Sequence, residues 1–404
     1  MLIKRDIFNR LRADVGSYVQ ILIGPRQCGK STLLSVLGQG KYHEVTFDDF
    51  QLRNLAESDP AFFLTQYPPP LIIDEVQYAP NIFPEIKKTI DQIKKKRLLD
   101  NLSGEIEVLF YLTGSNQILL DKQVKETLVG RASWYHLNTL SLHEIKNAFP
   151  ELKLTEIMFK GGWPELYTNS ALDPVKYLND YIRNYIEKDI IASAGIIKKK
   201  EFHTVLGMLA ARTANILNYS SFAKDSGVKS VTVSEWISVL ERAQLLYLLP
   251  PFEANLNKRL IKAPKVYFLD TGIATRLQGW MDVQPLLTSP QAGALFETLV
   301  LGELVKCITN FGKNWKLSMW RTKDGEEVDF IIDNGQGRFL AIDAKLGIHG
   351  TDAIKIPPNL LKAVSLDQII VVTYGGKKMQ LSKDCLQLPI CDLTEYLLAW
   401  DSFI

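Results

Sequence analysis

A glycine-rich loop near the N-terminus combines residue types that bind the phosphate tail of a nucleotide. Glycines let a backbone wrap phosphates, while successive N–H groups and the positive end of the following helix face the anion. Lys30 adds a positive charge and Ser31 offers a hydroxyl ligand for Mg²⁺. We therefore predict ATP as the ligand and Mg²⁺ as its metal ion. The predicted nucleotide-binding residues form a G-x-x-x-x-G-K-S pattern, namely Gly24, Pro25, Arg26, Gln27, Cys28, Gly29, Lys30, Ser31 and Thr32.

An apolar run further along the chain ends in two acids, which nucleotide hydrolysis with Mg²⁺ requires. Residues 71–73 are apolar and lead directly into Asp74 and Glu75. A buried parallel strand reads as an apolar run, and its end lies at the carboxyl edge of the sheet, beside the phosphate loop. We predict that Asp74 holds Mg²⁺ together with Ser31, and that Glu75 polarises the attacking water.

Two further polar residues are candidates for contact with the γ-phosphate. A third apolar run ends in Thr113-Gly114-Ser115-Asn116, which predicts Asn116 as a sensor of the nucleotide state. Arg131 follows a glycine and precedes another strand-like run. Arg131 is interpreted in two ways. It either stabilises transition-state charge, in its own subunit or in a neighbouring subunit of a homo-oligomer, or it forms an ordinary structural salt bridge.

Composition limits the class of protein. The chain has 404 residues, 46% of them hydrophobic and 23% charged, with a formal net charge of +2. These values predict a soluble protein of about two to four domains, in which any nucleic-acid-binding surface is local. The four cysteines show no C-x-x-C spacing, and no apolar stretch is long enough for a membrane span or a signal peptide. We therefore expect a cytoplasmic protein without a membrane partner.

The segment after the nucleotide-binding region has a locally basic character. Residues 196–280 hold twelve Lys or Arg against six Asp or Glu. Three helical patterns followed by two strand-like runs predict a helix-turn-helix with a wing. The expected DNA-binding residues lie close together in the wing, at Lys258, Arg259, Lys262 and Lys265.

A second acidic constellation lies near the C-terminus. Asp329 lies on one predicted strand and Asp343-Ala344-Lys345 on its hairpin partner. Carboxylates on adjacent strands can hold Mg²⁺ between them, while a lysine two residues further projects on the same face and can activate water. Glu297, on an upstream helix, would complete the set. The pattern predicts a restriction-endonuclease-like nuclease site, whether or not it still cleaves DNA.

The chain as a whole resembles a prokaryotic group of AAA-type (AAA+) P-loop ATPases with a C-terminal restriction-endonuclease-like domain of unknown function. The resemblance runs along nearly the whole sequence. Its motifs are G-P-R-Q-x-G-K-[ST] at 24–32, D-E-V-Q at 74–77, L-T-G-S at 112–115, G-R at 130–131, G-G-W-P-E at 161–165, L-P-P-F at 249–252, K-A-P-K-V-Y-F at 262–268, D-T-G at 270–272, F-E at 296–297 and E-V-D-F at 327–330.

The resemblance implies ATP binding and hydrolysis, with a winged helix and a nuclease-like domain behind the ATPase. One position departs from the family, which usually shows Glu-x-Lys where this chain has Asp343-Ala344-Lys345. Aspartate keeps the charge but shortens the reach by one methylene group, about 1.5 Å.

These observations predict an α/β fold with four parts. Residues 1–140 form a P-loop AAA+ ATPase core, 141–200 a helical lid, 201–280 a winged-helix domain and 281–404 a restriction-endonuclease-like α/β domain. The predicted function is that of an oligomeric ATPase that moves or remodels duplex or branched DNA. Two alternatives remain, a regulatory nucleotide switch that binds protein partners and a defence-type nuclease gated by ATP.

Overall fold

The computed structural model divides the chain into two compact units. Lys4–Thr139 and Thr309–Phe311 form the N-terminal unit, and Met1–Ile3, Leu140–Ile308 and Gly312–Ile404 form the C-terminal unit. The structure describes residues 2–14, 16–101, 104, 106–115, 127–191, 194–252, 263–321, 327–347, 360–361 and 364–402, with the side chains of 187–189 left aside. The four predicted domain boundaries remain a prediction.

The N-terminal unit is a parallel five-stranded sheet with helices between its strands. The strand order is β2-β3-β4-β1-β5, and every neighbouring pair is parallel. The strands are β1 (Val19–Ile23), β2 (His43–Thr46), β3 (Leu71–Asp74), β4 (Phe110–Gly114) and β5 (Ala132–His136). The helices are α1 (Phe8–Ala13), α2 (Lys30–Gly38), α3 (Phe50–Ser58), α4 (Pro60–Gln66) and α5 (Ile82–Leu99), with a short 3-10 helix at Val76–Tyr78. The prediction of a parallel α/β sheet for this region is confirmed.

Burial explains why these short runs form a central sheet. All five residues of β1 and all five of β4 are buried, as expected for strands covered by helices on both faces. In the strand register, Ile23 lies opposite Gly114 and Thr46 lies opposite Asp74. The ends of β1, β2, β3 and β4 therefore meet at one edge of the sheet.

The C-terminal unit begins with short helices. They are α6 (Leu142–Ala148), α7 (Leu154–Lys160), α8 (Glu165–Thr168) and α9 (Pro174–Tyr181), which continues as a π-helical segment at Ile182–Ile190. Ser141 and Glu144 form a capping box that starts α6, since each side chain accepts a hydrogen bond from the other residue's backbone N–H. Aromatic rings pack together along this stretch: the Tyr181 ring lies 4.2 Å from that of Trp163 and 5.2 Å from that of Tyr185.

A glycine and an aspartate join the end of α7 to a later helix. Gly161 has a φ of 70°, and a Cβ at this position would lie 2.0 Å from Asp270 Oδ1. The Asp270 carboxylate accepts from Gly162 N at 2.9 Å and from Gly272 N at 2.9 Å, and so caps α13 (Thr271–Leu277). This contact is the structural reason for the Gly161-Gly162 break that the sequence shows.

Three helices and a small sheet occupy the middle of this unit. The helices are α10 (Lys199–Ala211), α11 (Tyr219–Ser226) and α12 (Ser230–Arg242), and the strands are β6 (Asn215–Ile216), β7 (Leu246–Leu249) and β8 (Lys265–Phe268). The sheet is antiparallel with β8 in the centre. Helix α11 ends at Gly227, whose φ of 71° suits glycine at this position.

A six-stranded mixed sheet follows the long helix α14 (Ala292–Phe311). The order is β13-β14-β12-β11-β10-β9, in which β11 pairs with β12, and β12 with β14, in parallel. The strands are β9 (Lys316–Arg321), β10 (Glu327–Asp333), β11 (Phe339–Lys345), β12 (Gln368–Thr373), β13 (Met379–Ser382) and β14 (Cys385–Pro389), and α15 (Leu393–Ser402) comes last. The antiparallel pair of β10 and β11 brings the predicted Asp329 and Asp343 strands side by side. Within the described ranges, no helix combines the length and the apolar character that a bilayer crossing requires.

Candidate functional site

The phosphate loop connects the end of β1 to the start of α2. A Cβ at Gly24 would lie 2.1 Å from the carbonyl oxygen of Leu137, so only glycine fits there. Gly29 has a φ of 97°, a conformation that favours glycine, and it sits immediately before α2. Both positions explain why the loop needs glycine where the pattern has it.

Lys30 and Ser31 open α2 and face different partners. Lys30 is 5% exposed, and its Nζ donates to the carbonyl oxygens of Gly24 and Pro25, each at 3.0 Å. Ser31 Oγ donates to Asp74 Oδ2 at 2.9 Å. The loop and the acid at the end of β3 are therefore in direct contact, as the sequence predicts for these residue types.

The acid pair after β3 is held by side chains from neighbouring strands. Thr113 Oγ1, on β4, donates to Asp74 Oδ1. Glu75 Oε2 accepts from Ser115 Oγ at 2.8 Å, from Ser115 N at 3.3 Å and from Gln77 Nε2. Among the described residues no donor reaches Glu75 Oε1, which leaves that atom able to accept from a water.

A third carboxylate lies at the same edge, after β2. Burial raises the pKa of Asp48, and the negative charges of Glu75 and Asp74 raise it further, whereas Arg26 and Arg53 act in the opposite direction. Arg26 donates from Nη2 to the Tyr78 hydroxyl at 2.9 Å and from Nε to Ser115 Oγ at 3.4 Å. The edge thus gathers acids and one loop arginine around Ser115.

Arg5 links the loop to the chain beyond β5. Its side chain is buried, and it donates to the carbonyl oxygens of Cys28 and Asn138, both at 2.7 Å. Cys28 is also buried, and its Sγ donates to the carbonyl oxygen of Leu137 at 3.3 Å. Sequence patterns did not single out Arg5, since it lies outside any motif.

Arg131 forms a two-pronged ion pair within the N-terminal unit. Its Nε and Nη2 donate to Asp91 Oδ1 and Oδ2, at 2.7 and 2.9 Å. In the strand register Ala132 lies opposite Val19 and His136 opposite Ile23. Arg131 therefore lies about 16 Å from the edge that carries the phosphate loop, five strand residues away. The ion pair with Asp91 is a structural salt bridge of the kind that the second interpretation describes, and a role in charge stabilisation stays a prediction. Asn116, the predicted sensor, lies outside the described residues.

The C-terminal carboxylates gather around one lysine. Lys265 Nζ lies 2.7 Å from Glu297 Oε1, 2.5 Å from Glu327 Oε1 and 3.5 Å from Asp329 Oδ1. The Tyr267 hydroxyl also donates to Glu297 Oε1, at 2.5 Å. Lys265 and Tyr267 share one face of β8, as do Glu327 and Asp329 on β10, because side chains alternate along a strand.

The Asp343–Lys345 pair borders this group. Lys345 Nζ lies 2.5 Å from Asp343 Oδ2, and the backbone N–H of Ala344 donates to Asp329 Oδ2 at 2.9 Å. The predicted set of Glu297, Asp329, Asp343 and Lys345 is therefore brought together in space. Asp329 is 9% exposed and Asp343 is 6% exposed, whereas the Lys345 side chain is 49% exposed.

Burial and charge act together on the titration of this group. Burial raises the pKa of Glu297, and the neighbouring Asp329 raises it further, against the lowering effect of Lys265. The pKa of Asp343 is raised by burial and by Asp329. For Lys265, burial acts to lower the pKa, but Glu297 and Asp329 prevail and the net direction is upward.

The position of Lys265 corrects one prediction. The sequence placed it with Lys258, Arg259 and Lys262 on a basic surface, but the Lys265 side chain is 4% exposed and its ammonium faces carboxylates. It is therefore not available to a DNA phosphate. Lys258, Arg259 and Lys262 lie outside the described residues. The K-x-Y pattern at 265–267 and the E-x-D pattern at 327–329 show in sequence which residues share a face of each strand, but not that the two faces meet.

Matches to family models divide the chain into three parts. Residues 17–146 match an AAA domain, residues 151–284 a domain of unknown function (DUF8612) and residues 292–393 another domain of unknown function (DUF4143).

Two mycobacterial relatives match along almost the whole chain. Uncharacterized protein Rv2008c of Mycobacterium tuberculosis and Uncharacterized protein Mb2031c of Mycobacterium bovis are each 28% identical over 392 residues, which are 96% of this chain and 83% of theirs.

Solved structures show weak overall likeness. The Walker-type ATPase of Pyrococcus abyssi has a TM-score of 0.40 and 14% identity, covering 69% of this chain and 96% of its own. The ORC2 protein of Aeropyrum pernix, solved in ADPNP–ADP complexes, has a TM-score of 0.38 and 13% identity, covering 70% of this chain and 92% of its own. The loop geometry and the match at residues 17–146 together show that this chain carries a P-loop ATPase domain of the AAA type.

Proposed function

We propose that this protein binds ATP with magnesium at the phosphate loop and hydrolyses it. The hydrogen bond from Ser31 Oγ to Asp74 Oδ2 carries the proposal, because it joins the loop to the acid at the carboxyl edge. The residues fit the ligand: Lys30 supplies an ammonium group within the loop, and Ser31 and Asp74 place a hydroxyl and a carboxylate oxygen, the donors that Mg²⁺ prefers, within 2.9 Å of each other.

Each residue has a separate part in the proposed reaction. Lys30, now bound to the Gly24 and Pro25 carbonyls, would turn to the phosphate oxygens. Glu75 would orient the attacking water through Oε1, because hydrogen bonds from Gln77 and Ser115 hold its other oxygen. Ser31 and Asp74 would hold Mg²⁺, which, when bound, neutralises charge on the phosphates.

The test compares steady-state ATP turnover of the parent with that of Lys30→Ala and Glu75→Gln. We expect Lys30→Ala to lose both binding and turnover. We expect Glu75→Gln to keep binding of a fluorescent ATP analogue while turnover falls by roughly 100-fold or more. Lys41→Ala is the matched control, since Lys41 is an exposed lysine of the same unit paired with Glu107. Parent-like turnover by Lys30→Ala would show that another site hydrolyses ATP.

We further propose that the nucleotide cycle acts on duplex or branched DNA in a homo-oligomer. The order of α10, α11 and α12 followed by β7 and β8 is typical of a winged helix. The exposed face of α12 carries Glu235 and Glu241 beside Arg242, which does not favour contact of this helix with phosphates. The contact is therefore assigned to Lys258, Arg259 and Lys262, as the sequence predicts.

ATP turnover with and without single-stranded, duplex and four-way DNA tests this second proposal. We expect stimulation by DNA, and binding that weakens steeply with salt, in the parent. Reversing the charges of Lys258, Arg259 and Lys262 to Glu should abolish both. The same reversal at the exposed Lys198, Lys199 and Lys200 serves as the control. Turnover that ignores DNA, without salt-sensitive binding, would favour a regulatory switch that binds protein partners.

A further inference from the structure

The cluster around Lys265 already contains a cation. Oxygens from Glu297, Glu327 and Asp329 lie within 3.5 Å of the one ammonium nitrogen. Carboxylate oxygens around one central position are also what a divalent metal ion requires. A tethered side chain, contributed by β8, therefore holds the place that a metal would take between α14 and β10.

Burial makes it hard for a metal ion to replace the Lys265 ammonium group. The Lys265 side chain is 4% exposed and that of Glu297 is 16% exposed. A buried ammonium is stable only with charged partners, so a metal that displaced it would leave it without them. A metal that entered beside it would meet a like charge at short range.

The remaining side chains leave little unpaired negative charge for a second cation. Asp343 is paired with Lys345 at 2.5 Å, and Arg321 lies 3.7 Å from Glu327. Four carboxylates thus face two lysines and one arginine. The residues present therefore do not fit the magnesium site that the D and D-x-K pattern predicts.

We propose that Lys265 is the resident cation of this carboxylate cluster and that it keeps divalent metal ions out. The cluster then acts as an ion-pair joint between β8, α14 and β10, and the C-terminal sheet does not cleave DNA by a metal-dependent route. This inference stands independently of ATP hydrolysis in the N-terminal unit.

Mn²⁺ binding, followed by electron paramagnetic resonance and calorimetry without nucleotide, tests the proposal. All proteins carry Asp74→Asn, so that the nucleotide site does not contribute. Working near pH 8 keeps ordinary carboxylates ionised. We expect no Mn²⁺ site in this background at roughly millimolar metal. Lys265→Met should create one Mn²⁺ site, so that the affinity for Mn²⁺ is at least about tenfold higher than that of the Asp74→Asn background. Adding Asp329→Asn should remove this site. Lys265→Arg retains the charge and should behave like the background.

Two results would overturn the proposal. One is Mn²⁺ binding by the Asp74→Asn protein that disappears when Asp329→Asn is added, because the metal then coexists with Lys265. The other is a folded Lys265→Met protein, as judged by circular dichroism and thermal unfolding, that gains no Mn²⁺ site. If Lys265→Met does not fold, the comparison of the background with its Asp329→Asn derivative still decides the matter, since it needs no change at Lys265.

Discussion

Gly24→Ala is predicted to distort the phosphate loop without changing any charged residue. The new Cβ would lie 2.1 Å from the Leu137 carbonyl oxygen and 3.1 Å from Cys28 Sγ. Real Cβ contacts are essentially never under 3.0 Å, so the loop and the end of β5 must separate by at least 0.9 Å. Leu137 cannot move alone, because its N–H donates to the Ile23 carbonyl at 2.8 Å and its oxygen accepts from Cys28.

Overpacking of this size costs about 1–3 kcal/mol. We expect the melting temperature of Gly24→Ala to fall by several degrees, and the Kd for a fluorescent ATP analogue to rise by about tenfold or more.

Gly207→Ala is the matched control for this substitution. Gly207 lies in α10, and a Cβ added there would have no atom within 4 Å, so the substitution should leave nucleotide affinity unchanged. It should also stabilise the helix by about 0.5–1 kcal/mol. A Gly24→Ala protein that melts at the parent's temperature and binds the analogue equally well would show that Leu137 does not confine the loop.

Three further changes test separate parts of the structure. Ser115→Ala removes one of the three hydrogen bonds to Glu75, and steady-state kinetics should show kcat reduced roughly tenfold with little change in KM. The hydrogen bond from Arg131 lowers the pKa of Asp91, so this pair stabilises the fold above the ordinary pKa of aspartate and loses that effect as the pH falls through the lowered value. NMR titration of Arg131→Ala should therefore show the pKa of Asp91 raised towards its ordinary value, and an unchanged pKa would contradict the ion pair. Gly161→Ala combines a φ of 70° with a 2.0 Å approach to Asp270, and thermal unfolding should show a loss of roughly 1–3 kcal/mol, whereas Gly293→Ala, with open space around it, should cost little.

The nucleotide-binding part of the fold was predictable because its signals are local. The apolar run at 71–73 predicts a strand that ends at the acid pair, and the structure has β3 at Leu71–Asp74. Helices α6 and α7 also carry local signals, since the Ser141–Glu144 capping box marks the start of α6 and the glycine after Lys160 marks the end of α7.

The surroundings of Lys265 were not predictable in the same way. A run of basic residues favours an exposed surface, and only the pairing of β8 in the centre of its sheet shows that Lys265 points inward. Its partners Glu297 and Glu327 come from later elements, at sequence distances that composition and periodicity do not reach. The sequence likewise left two interpretations of Arg131 open. Its pairing with Asp91 of α5 is a tertiary contact that the sequence does not show.

Arg5 has a consequence for how far the loop can move on its own. The Arg5 guanidinium donates hydrogen bonds to the main-chain carbonyl of Cys28, inside the loop, and to that of Asn138, two residues before Leu140, where the C-terminal unit resumes. A shift of the loop at Cys28 must either move Asn138 as well or break one of the two hydrogen bonds that the Arg5 guanidinium donates. One buried side chain thus couples any displacement of the loop at Cys28 to the main chain at Asn138, within the same unit.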